Sequence, residues 1–158
     1  MRSYRIQGIP DALANAARQS MRSPQYGHPA HAELATGYGP CRLCLQTSQV
    51  GTDERVLFTY QPFTDPAALP ALGPVFIHRA GCERYDATEL PDALRPLPLE
   101  VEGYAAGGAL LAQCRVGSAA FEEVLESVLG EEQVAYAHLR NAEAGCFIAR
   151  VDWEGAGG

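Results

Sequence analysis

A periodic apolar stripe predicts an amphipathic helix near the C-terminal end of the chain. Apolar side chains recur there every three or four positions, at Phe121, Val124, Leu125, Val128 and Leu129. This spacing places all five on one face of an α-helix. Ser118 is the predicted N-cap, and Gly130 is predicted to end the helix. A second, shorter helix is predicted at residues 11–20, a segment rich in Ala that follows Pro10.

Alternation of apolar and polar positions, or a run of strand-forming residues, marks most of the other segments. These patterns predict strands at residues 4–9, 55–60, 74–79, 99–104, 109–116, 134–140 and 146–152. The short connections at residues 105–108 and 141–145 predict two antiparallel hairpins, whereas the Pro-rich segment 23–40 is predicted to be a loop. The predicted fold class is therefore α+β, a mainly antiparallel sheet with one C-terminal helix and a C-terminal β-hairpin.

Length and composition predict a single globular domain. The chain has 158 residues, of which 47% are hydrophobic and 20% are charged, and domains usually hold about 100 to 200 residues. We assign residues 1–154 to the domain and the Gly-rich residues 155–158 to a flexible tail. All 12 residues of the Lys and Arg class are Arg. Schiff-base enzymes and Walker phosphate loops, which need Lys, are therefore excluded.

The charge balance argues against nucleic acid as a partner. Asp and Glu number 19, the net charge is −7, and the Arg residues are spread along the chain, so a phosphate backbone would be repelled. No stretch approaches the roughly 18 consecutive apolar residues of a membrane span, and the first ten residues lack the apolar run of a signal peptide. We expect a cytoplasmic protein with no membrane partner, whose 5 cysteines are free thiols.

The C-terminal hairpin is predicted to bring several chemically active side chains together. With residues 141–145 as its loop, Arg140 lies opposite Cys146 and His138 lies opposite Ile148. One face then packs on the core under the predicted C-terminal helix and holds Ala135, Ala137, Leu139, Phe147, Ala149 and Val151. The other face carries the polar side chains Tyr136, His138, Arg140, Cys146, Arg150 and Asp152.

Two interpretations of this polar face are open. It is either the solvated side of an antiparallel sheet or part of a site for a small anionic molecule. In the second interpretation His138, His78 and Cys146 are the candidate catalytic residues, because imidazole transfers protons and a thiol beside Arg and His⁺ becomes a nucleophile. Guanidinium groups bind carboxylate or phosphate. The ligand-binding candidates are therefore Arg42 and Arg140, together with Asn141 in the loop that follows Arg140.

The cysteines offer an alternative, a structural zinc-binding domain. Cys41 and Cys44 have CxxC spacing, and His78 precedes Cys82 by four positions, which gives four donors of the kind that bind zinc. Against zinc, Leu45 stands where a zinc knuckle usually has Gly, and a strand would point Cys41 and Cys44 to opposite faces. A redox pair would need a helix after the CxxC, and no apolar helical period follows it. The remaining interpretation is that the thiols fill a core as small apolar groups.

A third hypothesis assigns no chemistry to the domain. The sequence lacks any complete catalytic signature, so whether the protein is an enzyme stays open. Pairing of edge strands, or packing of an apolar sheet surface, would suffice for a non-catalytic interaction module that acts as a homodimer.

Three motifs occur in order along the chain: PCRLCL, then GPVFIH followed by Cys82 and Tyr85, then AHLRNAEAGCF. In this order they resemble a bacterial family known as domain of unknown function 1203, over residues 4–153. The resemblance picks out Pro40, Cys41, Arg42, Gly73, Pro74, Phe76, His78, Cys82, Tyr85, His138, Arg140, Asn141, Gly145 and Cys146. It thereby adds Tyr85 to the ligand-binding candidates. It implies a small cytoplasmic bacterial protein and supplies no reaction.

Overall fold

A computed structural model describes residues 3–36, 39–60, 62, 73–79, 82–117 and 120–154. In chain order its elements are β1 (Ser3–Gln7), α1 (Asp11–Ser20), β2 (His31–Leu34), β3 (Glu54–Tyr60), β4 (Gly73–His78), β5 (Asp86–Ala87), a 3-10 helix (Asp92–Leu94), β6 (Leu99–Tyr104), β7 (Leu110–Arg115), α2 (Phe121–Leu129), β8 (Tyr136–Asn141) and β9 (Phe147–Glu154). Every strand pairing among the described residues is antiparallel. The predicted α+β class, with a C-terminal helix and a C-terminal hairpin, is confirmed.

The strands form two sheets. The larger has the order β5-β1-β9-β8-β6-β7, and the smaller has the order β2-β3-β4. The first strand, β1, lies beside the last strand, β9, with Tyr4 opposite Trp153, and both are interior strands of the larger sheet. Neither described helix is long and apolar enough to cross a membrane.

The first core lies between α2 and the larger sheet. All five residues of the predicted apolar stripe are buried, and they pack in one cluster with Ala137, Leu139, Ala149 and Val151. Hydrophobic burial of this stripe therefore fixes the helix on the sheet. The N-cap position belongs to Ala120, so the prediction of Ser118 as N-cap is wrong. The helix starts where the apolar stripe starts, which places the cap directly before Phe121.

The second core lies under α1 and the smaller sheet. Ala14 and Ala17 of α1 pack there with Val56 of β3 and Ile77 of β4, and Cys41 belongs to the same cluster. The small Ala side chains let the helix approach the sheet closely. The segment with the CxxC motif therefore contributes to both cores, because Leu43 lies in the second and Leu45 in the first.

Residues 23–40 are not wholly a loop as predicted, because they contain β2. That strand lies between Pro29 and Pro40, so no proline interrupts its pairing with β3. The predicted tail at residues 155–158 lies outside the described residues. The single-domain assignment of residues 1–154 stays a prediction.

The register predicted for the C-terminal hairpin is wrong. Arg140 pairs with Phe147 and His138 pairs with Arg150. The N–H of Asn141 donates to the Cys146 carbonyl at 2.9 Å, so the loop is one residue shorter than predicted, and the register shifts once more between Leu139 and Arg140. The shift is a β-bulge, in which one strand holds an extra residue. Phe147 consequently leaves the predicted α2 side and joins the second core.

Candidate metal centre

Four side chains named in the zinc alternative converge on one point. The donor atoms of Cys41, Cys44, His78 and Cys82 all lie within 4.8 Å of one another. The Sγ atoms of Cys41 and Cys82 are 3.9 Å apart, and Cys44 Sγ lies 3.3 Å from His78 Nδ1. Two sulfurs held tetrahedrally at about 2.3 Å from zinc are about 3.8 Å apart, and a sulfur and a nitrogen are about 3.6 Å apart. The two observed distances are therefore compatible with a tetrahedral zinc site.

The CxxC segment forms a tight turn, not a strand. The N–H of Leu45 donates to the Cys41 carbonyl at 2.8 Å, and the N–H of Cys41 donates to the Gln46 carbonyl at 2.8 Å. Leu45 has a φ of 60°, the left-handed conformation that Gly usually supplies in a knuckle. This conformation costs about 1 to 2 kcal/mol, but Leu45 is fully buried, which stabilises by about 1.5 to 3 kcal/mol. The expectations that Leu45 disfavours a knuckle and that a strand separates the two thiols are therefore wrong.

The turn is fixed against two neighbouring segments. The N–H of Arg42 donates to the Phe76 carbonyl of β4 at 3.0 Å. On another side, Gly8 packs so closely that a Cβ there would lie 2.1 Å from the Leu43 carbonyl oxygen. Because β4 ends at His78, this packing holds the two turn cysteines beside the strand end that provides the imidazole.

Two polar side chains orient the ring of His78. Its Nδ1 faces the cysteines, whereas its Nε2 lies 3.4 Å from Ser48 Oγ and 3.5 Å from Asp53 Oδ2. Asp53 is itself held, since the same oxygen accepts the N–H of Gln49 at 2.8 Å. Metal-binding histidines usually give their second nitrogen to a carboxylate in this way, which fixes the tautomer.

The three thiols cannot ionise independently. Hydrogen bonds from Cys44 and then Cys82 hold the pKa of the Cys41 thiol far below its usual range. The neighbouring Cys41 thiolate in turn raises the pKa of Cys44 and of Cys82, and it raises the pKa of His78 through a hydrogen bond. Negative charge on one sulfur thus opposes ionisation of the neighbouring thiols. A divalent cation at the centre would remove that opposition and let all three sulfurs ligate as thiolates.

The predicted polar face of the C-terminal hairpin is covered around His138 and Tyr136, whereas Arg150 and Asp152 on the same face are partly exposed. His138 is 0% exposed, and its ring centre lies 5.0 Å from those of Tyr104 and Phe147 and 5.3 Å from that of Tyr136. The bulge brings Phe147 onto this face, where Tyr60 of β3 also contacts it. Burial lowers the pKa of His138 to about 3. His138 is therefore uncharged at neutral pH and cannot stabilise a thiolate by its charge.

The two arginines predicted as anion ligands are bonded within the protein. Arg42 is 4% exposed, and it donates to the carbonyls of Phe147 at 2.7 Å and Pro40 at 2.6 Å. Burial lowers its pKa to about 10, so it stays charged at neutral pH. Arg140 forms an ion pair with Glu102. Arg42 thereby connects the CxxC turn to β9, and its role as an anion ligand, like that of Arg140, stays a prediction.

Among the other candidates of the anion site, Asn141 ends β8, and Cys146 and Tyr85 lie in loops. Asn141 Oδ1 accepts the N–H of Glu143 at 2.9 Å, which shapes the hairpin loop. Cys146 is half-buried in the same loop, and the predicted pairing of Cys146 with Arg140 is absent, because Arg140 pairs with Phe147 and the N–H of Asn141 donates to the Cys146 carbonyl at 2.9 Å. The Tyr85 hydroxyl donates to the Glu89 carbonyl. The catalytic assignment of Cys146 and the ligand-binding assignments of Asn141 and Tyr85 stay predictions.

Three residues at the cluster were not predicted from the sequence, namely Arg18, Ser48 and Asp53. Arg18 comes from α1, and its Nη2 lies 3.2 Å from Cys82 Sγ. Ser48 and Asp53 lie in the segment between the CxxC turn and β3. No spacing in the sequence relates these residues to the four donors, because the contacts arise only from the packing of α1 and β4 beside the turn.

Comparisons with known proteins identify the family. No curated protein and no solved structure matches the chain. One family model, described as "Protein of unknown function (DUF1203)", matches residues 38–153. The match includes all four residues of the cluster, and it begins after β1 and α1, later than the resemblance implied. Since it spans well over half of the sequence, the chain belongs to the DUF1203 family.

Proposed function

We propose that this protein binds one zinc ion through Cys41, Cys44, His78 and Cys82 and that the ion stabilises the fold. The observation that carries the proposal is the convergence of all four donor atoms within 4.8 Å. They come from two segments that are far apart in the sequence. Chance packing of small apolar thiols would not also aim an imidazole nitrogen at the same point.

The donor set favours zinc among the common metals. Thiolates are soft ligands that select zinc, copper(I) or iron–sulfur clusters, and imidazole is a normal zinc ligand. Three cysteines and one histidine form a usual structural zinc set, in which protein atoms fill all four coordination positions. Because no position is left for water or substrate, the proposed role is structural and not catalytic.

Zinc would connect parts of the chain that the backbone leaves separate. Cys41 and Cys44 lie on the turn after the Pro-rich segment, His78 ends β4, and Cys82 follows it. Ligation at these points would fix the turn on the smaller sheet and on the second core. The alternative of a redox pair lacks support, because no helix follows the CxxC within the described residues 39–60.

Metal content tests the proposal directly. Protein purified without chelator or added metal should carry about one zinc per chain, because a closed site of four protein ligands holds its ion tightly. Plasma mass spectrometry on a buffer-exchanged sample of known concentration measures the ratio. The Cys114→Ser variant is the matched control, since Cys114 is an exposed cysteine on β7 outside the cluster. It should keep the zinc that a Cys44→Ser variant loses.

A ratio below about one zinc per ten chains, in both the purified protein and protein refolded with zinc, would contradict the proposal. So would equal zinc content in the Cys44→Ser and Cys114→Ser variants. A small anionic ligand and a homodimer stay predictions, and no contact among the described residues favours either one.

A further inference from the structure

Arg18 contacts two of the four residues proposed to bind the metal. It lies in the last turn of α1, and its Nε and Nη2 donate to the His78 carbonyl at 2.9 and 2.7 Å. The same Nη2 lies 3.2 Å from Cys82 Sγ, within hydrogen-bond distance of a sulfur acceptor. One guanidinium group therefore connects α1, the end of β4 and a cysteine of the cluster.

The charge of the proposed centre requires a positive partner. Three thiolates and a neutral imidazole around a divalent zinc leave one negative charge in excess. The Asp53 carboxylate beside His78 adds another. Cys41 is fully buried and Cys44 and Cys82 are half-buried, so excess charge on their sulfurs is poorly solvated and costly. The guanidinium of Arg18 lies within hydrogen-bond distance of a cluster sulfur, and the buried guanidinium of Arg42 also interacts electrostatically with Cys41.

A simpler role for Arg18 would be to attach the last turn of α1 to the end of β4. The two hydrogen bonds to the His78 carbonyl would serve that role alone. The contact of Nη2 with Cys82 Sγ goes beyond it, because it points a charged donor at a group that becomes negative only when it ligates. A hydrogen bond of this kind to a charged sulfur is stronger than one to a neutral thiol.

We propose that Arg18 is a positioning residue of the metal centre, which holds Cys82 in the ligating position and neutralises the excess thiolate charge. This inference rests on the proposed zinc function. It makes α1, which lies before the residues matched by the family model, part of the zinc site.

Two substitutions separate the charge of Arg18 from its hydrogen bonds. Arg18→Gln keeps a donor for the His78 carbonyl but removes the charge. Arg18→Lys keeps the charge but loses the paired Nε and Nη2 donors of the guanidinium group. Loss of an outer partner typically weakens metal binding by about 10- to 100-fold, and we expect Arg18→Gln to fall in that range. Arg18→Lys should lie between Arg18→Gln and the unchanged protein. Competition with a chromogenic zinc chelator measures these affinities.

Arg79→Gln is the matched control. Arg79 follows His78 directly, and its guanidinium pairs with Glu54 on the surface, so the substitution removes one positive charge near the site but no sulfur contact. Its zinc affinity should stay within about twofold, because exposed ion pairs contribute little.

The spectrum of the cobalt(II) form gives a readout that a merely structural role would not change. A hydrogen bond withdraws electron density from sulfur, so its loss should move the sulfur-to-cobalt charge-transfer band of Arg18→Gln to lower energy. Arg79→Gln should leave the band in place. This measurement needs only enough folded protein to bind cobalt, and it therefore applies even where Arg18→Gln lowers stability.

The outcomes distinguish this inference from the zinc proposal. If the unchanged protein binds no zinc, the proposed function fails and the role of Arg18 fails with it. If the unchanged protein binds zinc but Arg18→Gln matches it in affinity and in cobalt spectrum, only the role of Arg18 is overturned. Equal weakening in Arg18→Lys and Arg18→Gln would overturn the charge-neutralising role.

Discussion

Substitution of Cys41 by serine is expected to abolish zinc binding and to lower the free energy of unfolding by about 4 kcal/mol or more. Cys41 is the most central donor, because it is fully buried, lies 3.9 Å from Cys82 Sγ and accepts the N–H of His78 at 3.2 Å. A serine hydroxyl does not ionise at neutral pH and is a poor zinc ligand. At a free zinc concentration near 1,000 times the dissociation constant, loss of binding removes about 4 kcal/mol.

Denaturant unfolding in a zinc buffer measures this loss, with Cys114→Ser as the control for the change from thiol to hydroxyl. Addition of a strong chelator should destabilise the unchanged protein and Cys114→Ser but leave Cys41→Ser unaffected, because the variant has no zinc to lose. Cys41→Ser that is as stable as Cys114→Ser, with the same response to chelator, would show that the cluster does not stabilise the fold through a metal.

A second large effect is expected from pH, through His138. Burial, with smaller contributions from Arg140 and Arg150, lowers the pKa of His138 to about 3, whereas an unfolded histidine has a pKa of about 6.5. Below pH 6.5 the unfolded chain binds a proton that the folded protein does not bind. Neutral His138 therefore makes its full contribution to the free energy of unfolding above about pH 6.5, and this contribution is lost as the pH falls from 6.5 towards 3.

Well below pH 6.5 and above about pH 3, the expected loss from His138 approaches about 1.4 kcal/mol for each pH unit. Carboxylates and the zinc site also respond to acid, so the informative quantity is a difference between two proteins. The free energy of unfolding should fall more steeply between pH 6.5 and 5.5 in the unchanged protein than in His138→Gln. The difference should be about 1 kcal/mol over that unit, because the unfolded histidine is already half protonated at pH 6.5.

NMR provides an independent measurement if His138→Gln folds poorly. The ring protons of His138 should not titrate between pH 8 and 5. A His138 titration midpoint near 6.5, or equal pH slopes in the two proteins, would contradict the buried and neutral state of this residue.

Local sequence patterns predicted the helices and strands whose formation depends only on residues that are close in the sequence. The α2 stripe from Phe121 to Leu129 repeats with the helical period, and its burial follows from that period alone. The α1 boundaries at Asp11 and Ser20 also agree with the structure. The strand order of the larger sheet, in which β1 lies between β5 and β9, depends on long-range pairing for which alternation gives no signal.

The hairpin shows how one irregularity changes the chemistry of a face. Alternation assumes an unbroken ladder, and the bulge between Leu139 and Arg140 is invisible to it. Phe147 therefore lies against His138, although the predicted register placed it on the opposite side. The burial of His138 depends further on Tyr104 of β6, the strand that pairs with β8.

The four donors of the candidate zinc site were identified from residue type and spacing, but their convergence could not be predicted. Two local rules argued against chelation, the absence of Gly at position 45 and the opposite faces of a strand. Both rules fail because tertiary burial of Leu45 supports a left-handed residue. The placement of Asp53 and Arg18 at the cluster likewise results from packing and not from local sequence.

Zinc K-edge X-ray absorption on the purified protein tests the central claim most directly, because it counts the atoms around the ion. We expect three sulfur neighbours at about 2.3 Å and one nitrogen at about 2.0 to 2.1 Å, from Cys41, Cys44, Cys82 and His78. The Cys44→Ser variant should not reproduce this shell, whereas Cys114→Ser should. A shell made only of nitrogen and oxygen, or one with fewer than three sulfurs, would contradict the account.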